Sequence, residues 1–292
     1  MKQITVISGK GGTGKTVITS SFAVLAKNKV MADCDVDAAD LYLLLHPEIK
    51  QKNDFVAGEK AEVDMEKCSR CKKCIEICRF SAVEEKNDEI VIDPVSCEGC
   101  GVCFWICPEE AIQMKKRVSG EWFISETKYG PMVFAKLGIA EENSGKLVTL
   151  VRKNAKILAE GGKLDLVIID GPPGIGCPVI ASITGADLVM VVTEPTLSAI
   201  SDLWRVLELV SHFGIEAVVL INKFDINLEN TERIEKFCQE REIEILGKVP
   251  FSHDFTKAMV AGKTIVEYTD SEVVDEIKNI WEKIYVKMGR NY

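Results

Sequence analysis

Apolar residues in this chain fall into short runs bounded by small or polar breakers: Ile4–Ser8, Val30–Asp33, Leu166–Asp170, Leu188–Thr193 and Ala217–Asn222. Rich in β-branched residues and too short for helices, these runs predict buried strands. Between them lie stretches of helical period: Thr16–Lys27, Val148–Glu160 with Val151, Ala155 and Leu158 on one face, and Ser201–Phe213. Strands alternating with helices predict an α/β fold on a mostly parallel sheet. Further on, Ile277, Ile280, Trp281, Ile284, Tyr285 and Met288 share one side of a predicted helix. Docking on the sheet is the plain expectation for that face and membrane-surface contact the sharper alternative. Acidic Glu276 and Glu282 on the polar side favour docking.

The alternation breaks between Glu59 and Arg117, where the pattern predicts only short strands and no long helix. This stretch reads as an insertion, residues 59–117, between halves of a larger domain, 1–58 and 118–292. It carries a weak repeat: Asp64-Met65-Glu66-Lys67-Cys68 recurs as Asp93-Pro94-Val95-Ser96-Cys97, an offset of 97 − 68 = 29 positions. Residues 118–147 are punctuated by glycine and show no clear period.

Composition narrows the class. With 45 acidic against 36 basic residues and a formal charge of −9, the chain lacks the general basic excess that nonspecific nucleic-acid binding needs. Its N-terminus runs straight into a glycine-rich loop without a secretory apolar core, and no run approaches the roughly 20 residues that span a bilayer. A cytoplasmic address is expected. Eleven cysteines in a reducing compartment point to metal or redox work rather than disulfides.

Gly9-Lys10-Gly11-Gly12-Thr13-Gly14-Lys15-Thr16 follows a predicted strand and opens a predicted helix, matching G-x-x-x-x-G-K-[ST]. Glycines let backbone N–H groups crowd a phosphate, Lys15 can reach the β- and γ-phosphates, and the Thr16 hydroxyl can hold Mg²⁺. Gly9, Gly11 and Gly14 also satisfy the dinucleotide pattern G-x-G-x-x-G, with Asp33 and Asp35 about 20 residues on. Lys15-Thr16 and a second acidic strand end favour the triphosphate. That second end is Val167-Ile168-Ile169-Asp170 followed by Gly171-Pro172-Pro173-Gly174, a carboxylate able to position Mg²⁺ beside a turn able to sense a γ-phosphate.

Cys68, Cys71, Cys74 and Cys78 form C-x₂-C-x₂-C-x₃-C, and Cys97, Cys100, Cys103 and Cys107 repeat it with Pro108 following. Three thiolates on one tight loop grip three corners of a cubane, and the fourth points to the other cluster. The expected ligand sets are Cys68, Cys71, Cys74 with Cys107, and Cys97, Cys100, Cys103 with Cys78. Two structural zinc ions are the bland alternative, though zinc sites pair C-x₂₋₄-C halves and leave the third cysteine without a use. Cys34, Cys177 and Cys238 are expected to be buried or incidental thiols.

With these motifs in place, the chain resembles the deviant Walker A family of P-loop ATPases, which includes MinD, ParA, Mrp-type iron–sulfur carriers and the nitrogenase iron protein. Its insertion resembles two-cluster bacterial ferredoxins, with Arg79 where those usually have proline. The extra Lys10 carries the first resemblance, which implies an ATP-dependent homodimer in which Lys10 reaches the partner's phosphates. It also implies that Asp35, in Asp33-Cys34-Asp35, orients attacking water. Asn222, in Asn222-Lys223-Phe224-Asp225, would contact adenine, with Val249-Pro250 beside the base.

The expected fold is therefore a mostly parallel P-loop NTPase with an inserted small α+β ferredoxin-like domain holding two [4Fe–4S] clusters. The expected activity is Mg-dependent ATP hydrolysis, with ATP, Mg²⁺ and the clusters as cofactors and ATP-gated electron transfer to a protein partner as the output. An Mrp-type cluster carrier and a MinD/ParA-like positioning ATPase are the alternatives. The superfamily's cobyrinic acid amide synthases are disfavoured, because no glutaminase domain with a Cys/His pair is appended.

Overall fold

A computed structural model describes residues 1–138 and 144–289. Its strands are β1 (Lys2–Ser8), β2 (Lys29–Asp33), β3 (Glu48–Val63), β4 (Val83–Lys86), β5 (Glu89–Ile92), β6 (Ile112–Thr127), β7 (Gly130–Leu137), β8 (Leu166–Pro173), β9 (Leu188–Thr193), β10 (Ala217–Asn222) and β11 (Glu244–Val249). Nine of them form one sheet in the order β11-β10-β9-β1-β8-β2-β7-β6-β3. Every pair from β11 to β7 is parallel. β6 and β7 are joined by only Lys128 and Tyr129, so they form a hairpin.

Alternation along the central strands shows why both sheet faces are covered. Leu188, Met190 and Val192 enter one core with Val218 and Leu220, whereas Val189 and Val191 enter a second with Val219 and Ile221. A strand buried on both faces reads as an unbroken apolar run, which is how these strands stand out in the sequence. Helices Lys15–Leu25 and Glu272–Lys287 supply the first core, the latter through Ile277, Ile280, Trp281 and Ile284, all 1% exposed or less. That apolar face is consumed by packing, so the membrane alternative for this helix falls. No helix among the described residues is long and apolar enough to cross a membrane. Helices Leu197–His212 and Leu228–Glu240 cover the opposite face.

Two compact units share the chain. One comprises Met1–Asn53, Trp122–Lys136 and the described residues from Ser144 on; the other comprises Asp54–Glu121 with Leu137 and Gly138. The expectation of only short strands between Glu59 and Arg117 is corrected by β3 and β6, each 16 residues long. β3 is an edge strand whose side chains are mostly exposed, and an edge strand of charged residues shows no hydrophobic alternation to read.

Inside the second unit the 29-residue repeat is a structural one. Helix Lys73–Ile77 recurs as Val102–Ile106, preceded by left-handed Lys72 (φ 63°) and Gly101 (φ 75°) and followed by extended Cys78 and Cys107. Between the halves, β4 and β5 pair antiparallel about Asn87 and Asp88, both with positive φ. Two such residues make the turn type that suits a tight hairpin.

Candidate functional site

The phosphate-binding loop Gly9–Thr16 connects β1 to the helix beginning at Lys15. Gly14 caps that helix at φ 91°, and a Cβ there would lie 2.3 Å from Asn222 Nδ2, so only glycine fits. Thr13 is 1% exposed and its hydroxyl has no hydrogen-bond partner, an orphaned buried group facing a loop built to receive a ligand.

Asp170 organises the loop's far end. Its Oδ1 meets Lys15 Nζ at 2.9 Å and the Thr19 hydroxyl at 2.9 Å, and its Oδ2 accepts from the Thr16 hydroxyl at 2.8 Å. Asp35 Oδ2 approaches Lys15 Nζ at 3.4 Å. Burial works to lower the Lys15 pKa, but the carboxylates of Asp170 and Asp35 outweigh it and the ammonium is held above its usual range. Burial raises Asp35 to about 6, with the Asp170 charge adding to the effect and Lys15 opposing it. Asp33 is fully buried and pushed well above the carboxylate range by burial and by Asp170; it accepts from the backbone N–H of Asp35 and of Leu41, both at 3.2 Å. A cluster of three carboxylates around one lysine carries surplus negative charge, the condition a divalent cation relieves.

Lys10 is paired within the chain. Its Nζ meets Glu194 Oε1 at 2.8 Å, the Thr196 hydroxyl at 3.0 Å and the Ser198 hydroxyl at 3.2 Å. The other Glu194 oxygen meets Lys223 Nζ at 2.9 Å, and that ammonium donates to the Gly12 carbonyl at 3.1 Å. Burial opposes ionisation of Glu194, yet the two lysines hold its pKa below the usual value. Sequence reasoning missed Glu194, Thr19 and the reach of Lys223; the available signal was Glu194 at the carboxyl end of a predicted parallel strand, where α/β sheets place their ligand groups. Asn222 Nδ2 donates to the Thr13 carbonyl at 2.7 Å. The segment after Pro250 is tied to the same region through Phe251 N–H, which donates to Asp225 Oδ1 at 2.7 Å.

In the second unit, one cavity is lined by Cys68, Cys71, Cys74 and Cys107, and another by Cys78, Cys97, Cys100 and Cys103. Each draws three cysteines from one run and the fourth from the other. Among the described residues no three His, Cys, Asp or Glu side chains gather so as to hold a single metal ion. The Ala111 N–H donates to Cys107 Sγ at 3.3 Å. Of the remaining cysteines, Cys34 and Cys238 are buried thiols whose pKa values burial pushes up, that of Cys238 to about 11, whereas Cys177 is exposed at the start of helix Cys177–Ile183.

The family model of the CobQ/CobB/MinD/ParA nucleotide-binding domain matches residues 4–265. An uncharacterised protein of Methanocaldococcus jannaschii is 35% identical over 286 residues, covering 97% of this chain and 96% of that protein. An iron–sulfur cluster carrier protein of Pyrococcus horikoshii is 27% identical over 158 residues, covering 49% of this chain and 53% of the carrier. Among solved structures, the septum site-determining protein MinD of Pyrococcus horikoshii complexed with Mg-ADP superposes with a TM-score of 0.61 at 16% identity, covering 99% of this chain and 97% of that one. The chain belongs to the CobQ/CobB/MinD/ParA nucleotide-binding domain family and is a P-loop ATPase of the MinD/ParA kind.

Proposed function

We propose that this chain is an ATP-driven dimeric switch coupled to two [4Fe–4S] clusters, passing electrons to a protein partner under nucleotide control. The observation that carries the proposal is the crossed lining of the two cavities, because a cubane gripped by three thiolates of one loop takes its fourth from the other run. Soft thiolate donors suit iron–sulfur clusters. Zinc sites pair two C-x₂₋₄-C halves, which leaves the third cysteine of each run without a use. In this reading Cys68, Cys71, Cys74 and Cys107 hold one cluster and Cys97, Cys100, Cys103 and Cys78 the other, within a ferredoxin-like domain of residues 59–117. Residues 1–58 and 118–292 form the ATPase.

At the nucleotide site, the N–H groups of Gly9–Thr16 and the Lys15 ammonium bind the β- and γ-phosphates. Thr16 and Asp170 hold Mg²⁺, which supplies charge neutralisation when bound. Asp35, 3.4 Å from Lys15 Nζ, orients the attacking water. Lys10 leaves Glu194 to stabilise charge on the partner's phosphates.

The experiment is an anaerobic redox titration of the iron-loaded protein with and without Mg·ATP. Nucleotide-dependent potentials or electron-transfer rates support the coupling; identical curves and rates defeat it. A second reading, in which the clusters are cargo, is favoured by the likeness to the Pyrococcus carrier over about half of this chain. Transfer of iron and sulfide to an apo-ferredoxin acceptor supports it, and retention of both clusters under the same conditions removes it. A positioning role of the MinD kind rests on the likeness to the septum site-determining protein of Thermotoga maritima, 23% identical over 291 residues. ATP-dependent pelleting with liposomes or DNA tests that role.

A further inference from the structure

The two cysteine runs follow one backbone path and differ in what holds it. At the 29-residue offset, Arg70, Lys72 and Ser81, at φ 57°, 63° and 52°, fall on Gly99, Gly101 and Glu110, at φ 66°, 75° and 49°. The surroundings of the second run are fixed. Lys60 of β3 donates from its ammonium to the Cys97 carbonyl, and Arg117 Nη1 of β6 donates to the Pro94 carbonyl at 3.0 Å. A Cβ on Gly99 would lie 2.0 Å from the Glu59 carbonyl oxygen, so this loop lies against the backbone of β3 and admits only glycine there.

Among the described residues the first run shows no counterpart to these contacts. Arg70, the equivalent of Gly99, is exposed and carries a side chain at left-handed φ, which the loop can accommodate because no strand backbone lies against it. Lys67 and Lys72 of the same run pair with Asp64 at 3.5 Å and Glu85 at 2.6 Å, contacts between side chains that leave the loop carbonyls unheld. The first ligands differ in burial as well: Cys97 is 8% exposed and belongs to the unit's apolar cluster, whereas Cys68 is half-buried.

Fastening of this kind bears on how tightly a cluster is kept. Thiolates let go one after another, and a thiolate on a fixed loop recaptures its iron before the next is lost, so groups that hold a ligand's backbone raise affinity without touching metal. We propose that Lys60 and Arg117 are positioning residues for the cluster of Cys97, Cys100, Cys103 and Cys78, and that the two clusters are unequal in consequence. The cluster of Cys68, Cys71, Cys74 and Cys107 is surrendered first. Each site takes its fourth ligand from the other run, so the difference lies in the two three-cysteine loops. The inference rests on the two-cluster reading proposed above and adds to it which cluster is exchangeable.

The test follows iron release from the full chain, loaded anaerobically with iron and sulfide and mixed with bathophenanthroline disulfonate. Two phases of equal iron content are expected, separated by about tenfold or more in rate. Between them, the EPR signal of two magnetically coupled clusters in dithionite-reduced samples gives way to that of one isolated cluster. Lys60→Met speeds the slow phase about tenfold and leaves the fast phase within about twofold, and Lys60→Arg, which keeps the charge and donors, retains the parent's rates. Arg117→Met repeats the selective effect should Lys60→Met fail to fold. A single phase in the parent, equal acceleration of both phases, or a slow phase that neither methionine variant alters would overturn the proposal while leaving the clusters in place. A loaded protein whose iron and sulfide contents and EPR spectrum show no cubane would remove the two-cluster reading itself, and the proposal with it.

Discussion

The nucleotide site and the cysteine-lined unit are both built around charged or ionisable groups, yet they solve the problem of burying them in opposite ways. In the first, buried charges meet protein partners: Lys15 pairs with Asp170 at 2.9 Å, the Thr16 hydroxyl donates to Asp170 at 2.8 Å, and Glu194 is shared by Lys10 and Lys223. Two apolar cores on either face of the sheet supply the stability that holds those pairs. The second unit has a small core in which cysteines take part. Ala61, Ala82, Cys97 and Ile112 form one buried cluster, Val83, Ile90 and Ala111 are buried besides, and the side chains packed against the cluster include Cys74, Cys78, Cys103 and Cys107. Several of its proposed metal ligands are thus part of its interior. A unit that small ordinarily needs a metal or disulfides to stay folded. One site is held together by its own ion pairs, and the other, on the proposed function, by its ligand.

Removing metal is the strongest way to break this contrast. Anaerobic iron chelation is expected to abolish hydrogen-exchange protection across residues 54–121 while strands β1, β8 and β9 keep theirs, read by mass spectrometry. Equal protection before and after chelation would mean that the cysteine unit stands without its guest. Next in size, Asp170→Asn should lower ATP hydrolysis by about 10³-fold, since it removes both the proposed Mg²⁺ ligand and the partner of Lys15, without changing iron content. Lys10→Ala should lower hydrolysis by about 10²-fold and leave ATP affinity within about threefold, because in the proposed mechanism Lys10 acts only after leaving Glu194; a plain loss of affinity would place it in ground-state binding.

The smallest effect sharpens the picture of the finished site. Asp35 is raised from 3.8 to about 6, so the nucleotide-free folded chain holds this proton more tightly than the unfolded chain does. Its contribution to stability is therefore full below about pH 4 and is lost as pH rises through about 6. Asp35→Asn should raise the melting temperature at pH 7 by a few degrees and change it little at pH 4, measured without nucleotide. A substitution that destabilises at both pH values would show that the Lys15 contact, and not desolvation, dominates at Asp35.

The central strands were legible because burial on both faces leaves an apolar run, and the phosphate loop because its glycines and Lys15 occupy fixed spacings. The edge strand β3, with residues such as Glu48, Lys50, Lys52 and Glu59, offered no such signal, since an exposed edge is free to be polar. Cysteine spacing was legible too, and the two cavities group the cysteines as that spacing suggests, Cys68, Cys71 and Cys74 with Cys107 and Cys97, Cys100 and Cys103 with Cys78. Partnership across distant segments is another matter. That Glu194 is shared by Lys10 and Lys223, and that Asn222 and Lys223 donate to the Thr13 and Gly12 carbonyls, depends on β9 and β10 ending beside the loop after β1. Sequence by itself therefore determined the parallel α/β class, the phosphate loop and the spacing of the cysteines. Only the tertiary structure decided which side chains meet the phosphate loop, because those contacts join residues about 200 positions apart whose meeting is set by strand order and not by local pattern.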